Sequence, residues 1–379
     1  MDTKDICIYF DNRKQFPLLK EKYPLARFVF CKKDSLQKDL WQADEKTLLF
    51  ALANDTLQDA TALCRNIAEK EIFVFPYDNG YGTEPILIDA AKPRLNYVEC
   101  DISHVCNLNC RGCANFSSLS TGQRFYNINQ FKRDILSLKE LFWGITKIRL
   151  LGGEPFLNPE LPIYAELVRN VFPDCDLRIV TNGLLIPSLS ETMLKRLKDV
   201  GCCIEISAYK PTVQMRGEIA RRLKNVQIDY FFSIPMRIFF KTIITEPYIN
   251  GEQAFSNCLF SHCHMIMENK LAPCSYACGI YRLNRRFKTN YPECDFIDLS
   301  QPHPDGWEII DYFTHPHALC RYCSVCPVPM LWQGNRSYSN AKITDWLVKD
   351  SFFLRNIAGN AFMIIKKSAE TLRKKTQQR

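Results

Sequence analysis

Residues 96–113 read NYVECDISHVCNLNCRGC, and residues 147–155 read KIRLLGGEP. Each opens as a short strand-like run and ends in a loop that carries chemistry or turn residues, three cysteines in the first and two glycines before Glu154-Pro155 in the second. Between them Ile128, Phe131, Ile135, Leu138 and Phe142 recur at helical spacing, and Gly144 follows as a stop. The alternation continues downstream. Asn158-Pro159 reads as an N-cap with proline at the first helical position, opening a helix to about Val171. DLRIVTNG (176–183) is the next strand, Ser190-Glu191 opens a helix that Gly201 closes, and CCIEIS (202–207) is another strand. A helical pattern spans about 212–224, and DYFFSI (229–234) or RIFFKTII (237–244) supplies a fifth strand. Repeated βα units predict a full or partial α/β barrel over 96–250, with its site at the C-terminal ends of the strands.

Outward from this core the pattern changes. In residues 1–90, DICIYF, RFVFC, KTLLFALA and EIFVFP are short apolar runs separated by helix-compatible stretches, including 56–70 with Leu57, Ala60, Leu63, Ile67 and Ala68. Strands separated by helices imply a parallel sheet. The first strand ends in Asp11-Asn12-Arg13 and not in a glycine-rich turn, so the expectation is a small Rossmann-like α/β domain without a nucleotide fingerprint. A scaffolding or partner-docking role stands beside a substrate-recognition role. Gly80–Pro93 is rich in turn residues and reads as a linker. Residues 251–330 lose the βα rhythm and read as an irregular, cysteine-rich extension. Residues 331–379 read as a helical segment with a basic tail, Arg373-Lys374-Lys375. Its apolar stretch Phe352–Lys367 is read as a packed terminal helix, with membrane-surface contact as the alternative.

Composition narrows the class. Of 379 residues, 46% are hydrophobic and 24% charged, which is incompatible with disorder over most of the chain. No run of about 18 apolar residues occurs, so no spanning helix is expected. The first residues, MDTKDICIYFDNRKQ, place acids where a secretory signal has basic residues, and the expected location is cytoplasmic. The net charge of +8 is spread along the chain, and no nucleic-acid motif appears. Of eighteen cysteines, four fall between Cys100 and Cys113 and eight between Cys258 and Cys326. In a chain this long without a signal peptide, clustered cysteines point to metal before disulfides. Cys7, Cys31, Cys64, Cys175, Cys202 and Cys203 sit in apolar segments and read as small buried hydrophobes.

Cys106, Cys110 and Cys113 are close enough to converge on one metal or cluster. A closed zinc site wants a fourth ligand, and iron–sulfur clusters commonly take four thiolates. Three leave one position open. Cys100 and His104 are spare ligands nearby, read as strand-end residues. Cys258-x4-Cys263-x10-Cys274 and Cys320-x2-Cys323-x2-Cys326 form a second field that suits one four-thiolate site, either structural zinc or a second cluster. His262 and His264 flank Cys263. Cys278 and Cys294 fit no pattern and read as structural.

Cys-x3-Cys-x2-Cys after the first barrel strand, with Gly152-Gly153-Glu154-Pro155 after the second, resembles the radical SAM superfamily. Thr181-Asn182-Gly183 and Ile206-Ser207 are further matches. The resemblance implies a partial (β/α)6 barrel and a [4Fe–4S] cluster held by Cys106, Cys110 and Cys113. It also implies S-adenosylmethionine as cofactor, oriented by Gly152, Gly153, Glu154, Asn182 and Ser207. Reduction of the bound sulfonium would give methionine and a 5′-deoxyadenosyl radical that takes hydrogen from a substrate, with flavodoxin or ferredoxin as the kind of reductant required. One departure is Gly112, where the family usually has an aromatic residue. The second field resembles the SPASM or twitch extension, with Cys263, Cys274, Cys320 and Cys323 as the expected ligands of an auxiliary cluster and Cys258 and Cys326 as alternates. CNLNCRGCANFS, GGEPFLNPEL, TNGLLI and CRYC resemble a subgroup linked to bacterial surface-polysaccharide synthesis, which implies a sugar or nucleotide-sugar substrate. A peptide-modifying maturase and a non-enzymatic metal-stabilised binding protein are the alternatives. If Ser207 faces the barrel interior, so do Glu205 and Cys203. Glu205 is then either a substrate contact or part of a polar plug. Tyr209-Lys210 lies at the barrel mouth.

Overall fold

The computed structural model describes residues 92–348 and, before them, the backbone of five strands. These are β1 (Asp5–Tyr9), β2 (Arg27–Phe30), β3 (Leu48–Leu52), β4 (Ile72–Phe75) and β5 (Ile86–Ile88). Their order is β2-β1-β3-β4-β5. The first four pair in parallel and β5 joins β4 antiparallel. β5 falls inside the stretch read as a linker. Its three residues, Ile86-Leu87-Ile88, are too short for a periodic signal among turn residues. The helix expected at 56–70 lies outside the described residues.

The second sheet carries the site. β6 (Arg94–Ser103), α1 (Ile128–Leu141), β7 (Gly144–Gly152), α2 (Leu161–Val171), β8 (Asp176–Thr181), α3 (Glu191–Asp199) and β9 (Cys203–Ile206) follow one another. Two helices, α4 (Lys210–Gln214) and α5 (Arg216–Val226), then lead to β10 (Tyr230–Phe232). β11 (Ile238–Ile243), α6 (Glu252–Ser256), β12 (Met265–Met267), β13 (Lys270–Ala272), α7 (Ser275–Phe287), β14 (Ile297–Asp298), α8 (Gly306–Phe313) and β15 (Cys323–Leu331) complete the described chain. The sheet order is β10-β9-β8-β7-β6-β12-β13-β14. Six strands, β10 through β12 in that order, run parallel. This is the mainly parallel α/β sheet of a partial barrel. Both candidate fifth strands exist, but only β10 joins the barrel sheet. β11 leaves it to pair antiparallel with β15, and the sixth parallel strand is β12, on the far side of β6.

The core sits between the sheet and its helices. Val98, Cys100 and Ile102 of β6 face α1, whose Phe131, Ile135 and Leu138 are fully buried. Asn127 caps α1, its side chain accepting from Asn129 N and Gln130 N. α2 begins later than its sequence implies. Pro155–Leu157 forms a 3-10 turn, and the Asn158 side chain caps the Glu160 amide at 3.0 Å. The extension is more regular than its cysteine content led one to expect. α7 buries Tyr276, Ala277, Ile280 and Leu283 along one stripe, a helical period that the cysteine pattern hid. The tight turn Glu268-Asn269, left-handed at both residues, joins β12 to β13, and the Asn269 amide bonds the buried carboxylate of Asp134 on α1 at 2.9 Å. Residues 332–348 form no α-helix beyond a 3-10 turn at Ile343–Asp345, and Phe352–Lys367 with the basic tail lies outside the described residues. Among the described residues no helix is long and apolar enough to cross a membrane.

Asp305 closes a capping box on α8, accepting from the amides of Trp307 at 2.8 Å and Glu308 at 2.9 Å. Asp305→Ala is expected to lower unfolding stability by about 1 kcal/mol. Urea unfolding monitored by circular dichroism measures this, and an unchanged midpoint would refute the cap.

Candidate functional site

The three cysteines hang from the end of β6, and the end of β7 pins their loop. The Gly153 amide donates to Ser103 O at 2.5 Å and the Glu154 amide to Val105 O at 2.8 Å. This approach needs glycine. Gly152 holds φ at +129°, and a Cβ there would collide with the Asp101 carboxylate. A Cβ on Gly153 would collide with the Val105 carbonyl. The Asn115 side chain takes the Gly152 carbonyl at 2.7 Å, joining the far side of the cysteine loop to the same strand end.

Glu154 carries the arrangement to β8. Its carboxylate is fully buried and accepts from the Thr181 hydroxyl at 2.7 Å, the Asn182 amide at 2.9 Å and the Phe156 amide at 3.1 Å. Asn182 in turn donates from its side chain to Asn107 Oδ1, within the cysteine loop, at 2.6 Å. Ser207 joins through its amide, which bonds Thr181 O at 2.8 Å. The structure thus brings Gly152, Gly153, Glu154, Asn182 and Ser207 to one edge of the barrel beside the cysteines. Glu154 faces β8, where its oxygens are taken.

The thiols are built to be ligands. Cys106 Sγ accepts from the Leu108 amide at 3.4 Å and Cys110 Sγ from the Trp332 indole at 3.1 Å, while Cys113 Sγ lies 3.7 Å from the Ser117 hydroxyl. Burial pushes Cys106 up to about 12 and raises Cys110 as well, and the neighbouring thiols add to both shifts. Such sulfurs ionise only when a cation compensates them, while the N–H donors favour the thiolate. Neither spare ligand joins them. Cys100 is buried on the outer face of β6, and the His104 ring contacts the Gln123 carbonyl at 3.2 Å. Three thiols with preset donors and no fourth cysteine fit a [4Fe–4S] cluster with one open iron.

The loop is closed by residues 332–346, the start of the segment that the sequence reading made helical and that here runs as an irregular strap. The Arg111 amide bonds Gln333 O at 2.7 Å, and the amides of Asn335 and Arg336 bond Leu108 O and Asn109 O at 2.7 and 2.9 Å. Arg111 pairs with the buried Asp345 at 2.6 Å, and the Trp346 indole donates to Cys113 O at 3.0 Å. Gly112, left-handed at φ +63°, has no room for a Cβ beside the Met330 side chain and the Asp345 carbonyl. The extension therefore fills the space that an aromatic residue at 112 would take. Tyr209 stacks on Trp332 at 5.3 Å, and burial beside all three thiols raises its pKa. The signal for this strap was two tryptophans in a polar stretch.

Below this edge the barrel interior is ionic. Arg149 lies 2.9 Å from Glu205 and 3.9 Å from Glu99, and Arg178 lies 3.5 Å from Glu205 and 2.7 Å from Asp176. Glu205 therefore belongs to a polar plug paired across neighbouring strands.

The second field converges with one exchange. Cys258, Cys274, Cys320 and Cys323 line a cavity of about 50 Å3 with Phe260 and Tyr276. Cys263 and Cys326 do not line it; Cys263 instead lies within electrostatic reach of Tyr97 in the barrel. The alternate Cys258 thus takes the place expected for Cys263, because Phe260 and Ser261 turn the chain between them and His264 pairs with β6 through its carbonyl. Amides donate to three of the four sulfurs, Phe260 to Cys258 at 3.2 Å, Ala277 to Cys274 at 3.4 Å and His317 to Cys320 at 3.4 Å. Cys274 also caps α7, where the helix dipole favours a thiolate. Burial pushes Cys320 up to about 11 and raises Cys274 and Cys323. Among the described residues no group of three or more His, Cys, Asp or Glu side chains is drawn in closely enough to enclose a single metal ion. The four thiols share a cavity wall and do not close a tetrahedron.

Burial raises Glu154 from 4.5 to about 7, against the opposing pull of its three hydrogen bonds. A carboxyl whose folded-state pKa lies above its unfolded value withdraws stability as pH rises between those values. The unfolding midpoint of the protein is therefore expected to fall, relative to Glu154→Gln, between pH 4.5 and about 7. Chemical denaturation across that window is the measurement, and a constant difference would contradict the buried carboxyl.

Residues 101–230 match the model of the Radical SAM superfamily. A GTP 3′,8-cyclase of Campylobacter curvus is 31% identical over 124 residues, 31% of this chain and 35% of that protein. One of Nautilia profundicola is 31% identical over 171 residues, 42% of this chain and 51% of that protein. The chain spans about a third to a half of the length of these curated relatives. Among solved structures, BtrN in complex with AdoMet and 2-DOIA is 16% identical, covers 62% of this chain and 94% of that one, and has a TM-score of 0.39. Native anSMEcpe with bound AdoMet is 17% identical over 43% of this chain and 45% of that one, with a TM-score of 0.31. Over residues 101–230 the chain carries a radical SAM superfamily domain.

Proposed function

We propose that this protein cleaves S-adenosylmethionine reductively and uses the radical on a small-molecule substrate. The observation that carries this reading is the three-thiol loop fixed by Gly152-Gly153-Glu154 and lacking a fourth cysteine. When bound, the [4Fe–4S] cluster and S-adenosylmethionine supply an electron and a 5′-deoxyadenosyl radical. The chain supplies position. Cys106, Cys110 and Cys113 are the ligands. The strand edge of Gly152, Gly153, Asn182 and Ser207 orients the cofactor's polar groups, Glu154 fixes that edge to β8, and Trp332, Tyr209 and Met330 exclude water. Cys258, Cys274, Cys320 and Cys323 are the ligands of an auxiliary iron–sulfur site, for which three amide-to-sulfur bonds are the support. The reductant is a small electron carrier such as flavodoxin or ferredoxin, and the location is cytoplasmic.

The cyclases above act, by their name, on a nucleotide, and the sequence strings point to a sugar or nucleotide sugar. Both are polar small molecules, which is the class we carry forward. The resemblance of the cysteine-rich extension to SPASM or twitch modules supports a peptide substrate as the second reading.

Anaerobically reconstituted, reduced protein is expected to release 5′-deoxyadenosine from S-adenosylmethionine, and Cys106→Ala/Cys110→Ala/Cys113→Ala to release none. Release by the triple variant at the rate of the unaltered protein would sink the proposal. Iron should persist in that variant, and adding Cys258→Ala should remove most of what remains, whereas adding Cys263→Ala should not. Iron and sulfide analysis decides this; zinc alone in the triple variant would replace the auxiliary cluster with a structural ion.

A further inference from the structure

The barrel has a second polar cavity at its opposite end. Lys92, Arg94, Lys139, Trp143, Phe172 and Asp174 are among the residues lining about 400 Å3 at the starts of β6 and β7. β6 runs ten residues from Arg94 to Ser103, so this cavity lies on the order of 30 Å from the cysteine loop. Its volume is that of a small-ligand pocket.

The wall of this cavity is chemically incomplete. Arg94 is only 3% exposed, yet its Nε and one terminal nitrogen have no hydrogen-bond partner. Its guanidinium lies 4.8 Å over the ring of Trp143, whose own indole N–H is also buried without a partner. Among the described residues no carboxylate forms an ion pair with Arg94. Asp174 acts on the guanidinium only through space, and burial lowers the pKa of Arg94. Lys139, near the end of α1, is held beside the cavity by its bond to Trp143 O at 2.8 Å. Three cations face one carboxylate. A buried guanidinium without acceptors is costly, and three orphan donors on one wall are what an anion's oxygens satisfy. Guanidinium binds phosphate oxygens in pairs, and the Trp143 and Phe172 rings offer apolar faces beside it.

We propose that this cavity binds a phosphate-bearing small molecule, with the phosphate on Arg94 and the Trp143 indole and the remainder against the aromatic walls. The site is separate from the cysteine loop and does not depend on the reading of that loop. The test is calorimetric titration of the full chain with ribose 5-phosphate and with inorganic phosphate. Ribose 5-phosphate should bind saturably and more tightly. Arg94→Met should weaken it about tenfold or more, the loss of one charge-assisted bond. Lys139→Met, at an exposed position, should weaken it several-fold, and Asp174→Asn should tighten it. The two milder variants decide the matter if Arg94→Met does not fold. The Cys106→Ala/Cys110→Ala/Cys113→Ala protein should bind as the unaltered chain does. Absence of saturable binding at millimolar ligand, or affinities unmoved by both Lys139→Met and Asp174→Asn, would overturn the proposal. Equal affinity for the two probes would reduce the site to one for a free anion and overturn the small-molecule assignment.

Discussion

The approach of the Gly153 backbone to the Val105 carbonyl is the contact on which the site depends. At that point the end of β7 and the stem of the cysteine loop share two backbone hydrogen bonds, and no side chain fits between them. The motif then extends sideways. Glu154 bonds the first residues beyond β8, and Asn182 returns to Asn107 in the loop. Three strand ends are tied through the buried side chains of Glu154 and Asn182. Each bond contributes modestly, on the order of 1 kcal/mol, but losing one leaves a buried polar group without a partner, and that penalty is larger. The geometry is held by the cost of the alternatives.

Barrel residues alone do not complete the site. The domain at 101–230 contains the three cysteines and the glycine pair, yet the groups that close over them come from beyond residue 330. Trp332 reaches Cys110 and Trp346 reaches the Cys113 carbonyl, across separations of 222 and 233 residues. Such contacts form only after the intervening chain has folded, because distant loop closure carries its entropy cost before any contact rewards it. The positive φ at Gly112 and the room it gives Met330 are the local signature of that dependence.

This also explains what was legible in the sequence. The βα rhythm of 96–234 could be read because each strand and helix repeats its own period, and the motif residues lay at strand ends where such barrels place them. Glu205 was readable to the level of its face, and only the positions of Arg149 and Arg178 decided between substrate contact and plug. The exchange of Cys258 for Cys263 was not readable. Four residues separate the two, and a turn at Phe260–Cys263 decides which sulfur faces Cys274. The strap at 332–346 has no periodicity, since its backbone bonds to a loop and not to a neighbouring strand.

One buried pair joins the two thiol fields. Arg282, on α7, reaches Asp101 at 3.3 Å and Asn115 O at 2.7 Å, with both charged side chains almost fully enclosed. Asn115 holds the Gly152 carbonyl, and Asp101 occupies the space that a Cβ on Gly152 would need. The same helix begins at Cys274, in the second field. Between these ends Tyr276 lies within electrostatic reach of Cys113 on one side and of Cys258 and Cys323 on the other, with its ring edge-on to Phe116 at 5.5 Å and against Phe260 at 5.4 Å. Truncating one member of such an ion pair strands the other in a dry interior, typically at several kcal/mol. A helix of 13 residues is short and stiff, about 20 Å long, so a displacement at its capped end is carried to Arg282 and from there to the strand end beside the cysteine loop. The extension and the barrel therefore share one rigid element, and the thiol set at one end of it constrains the geometry at the other.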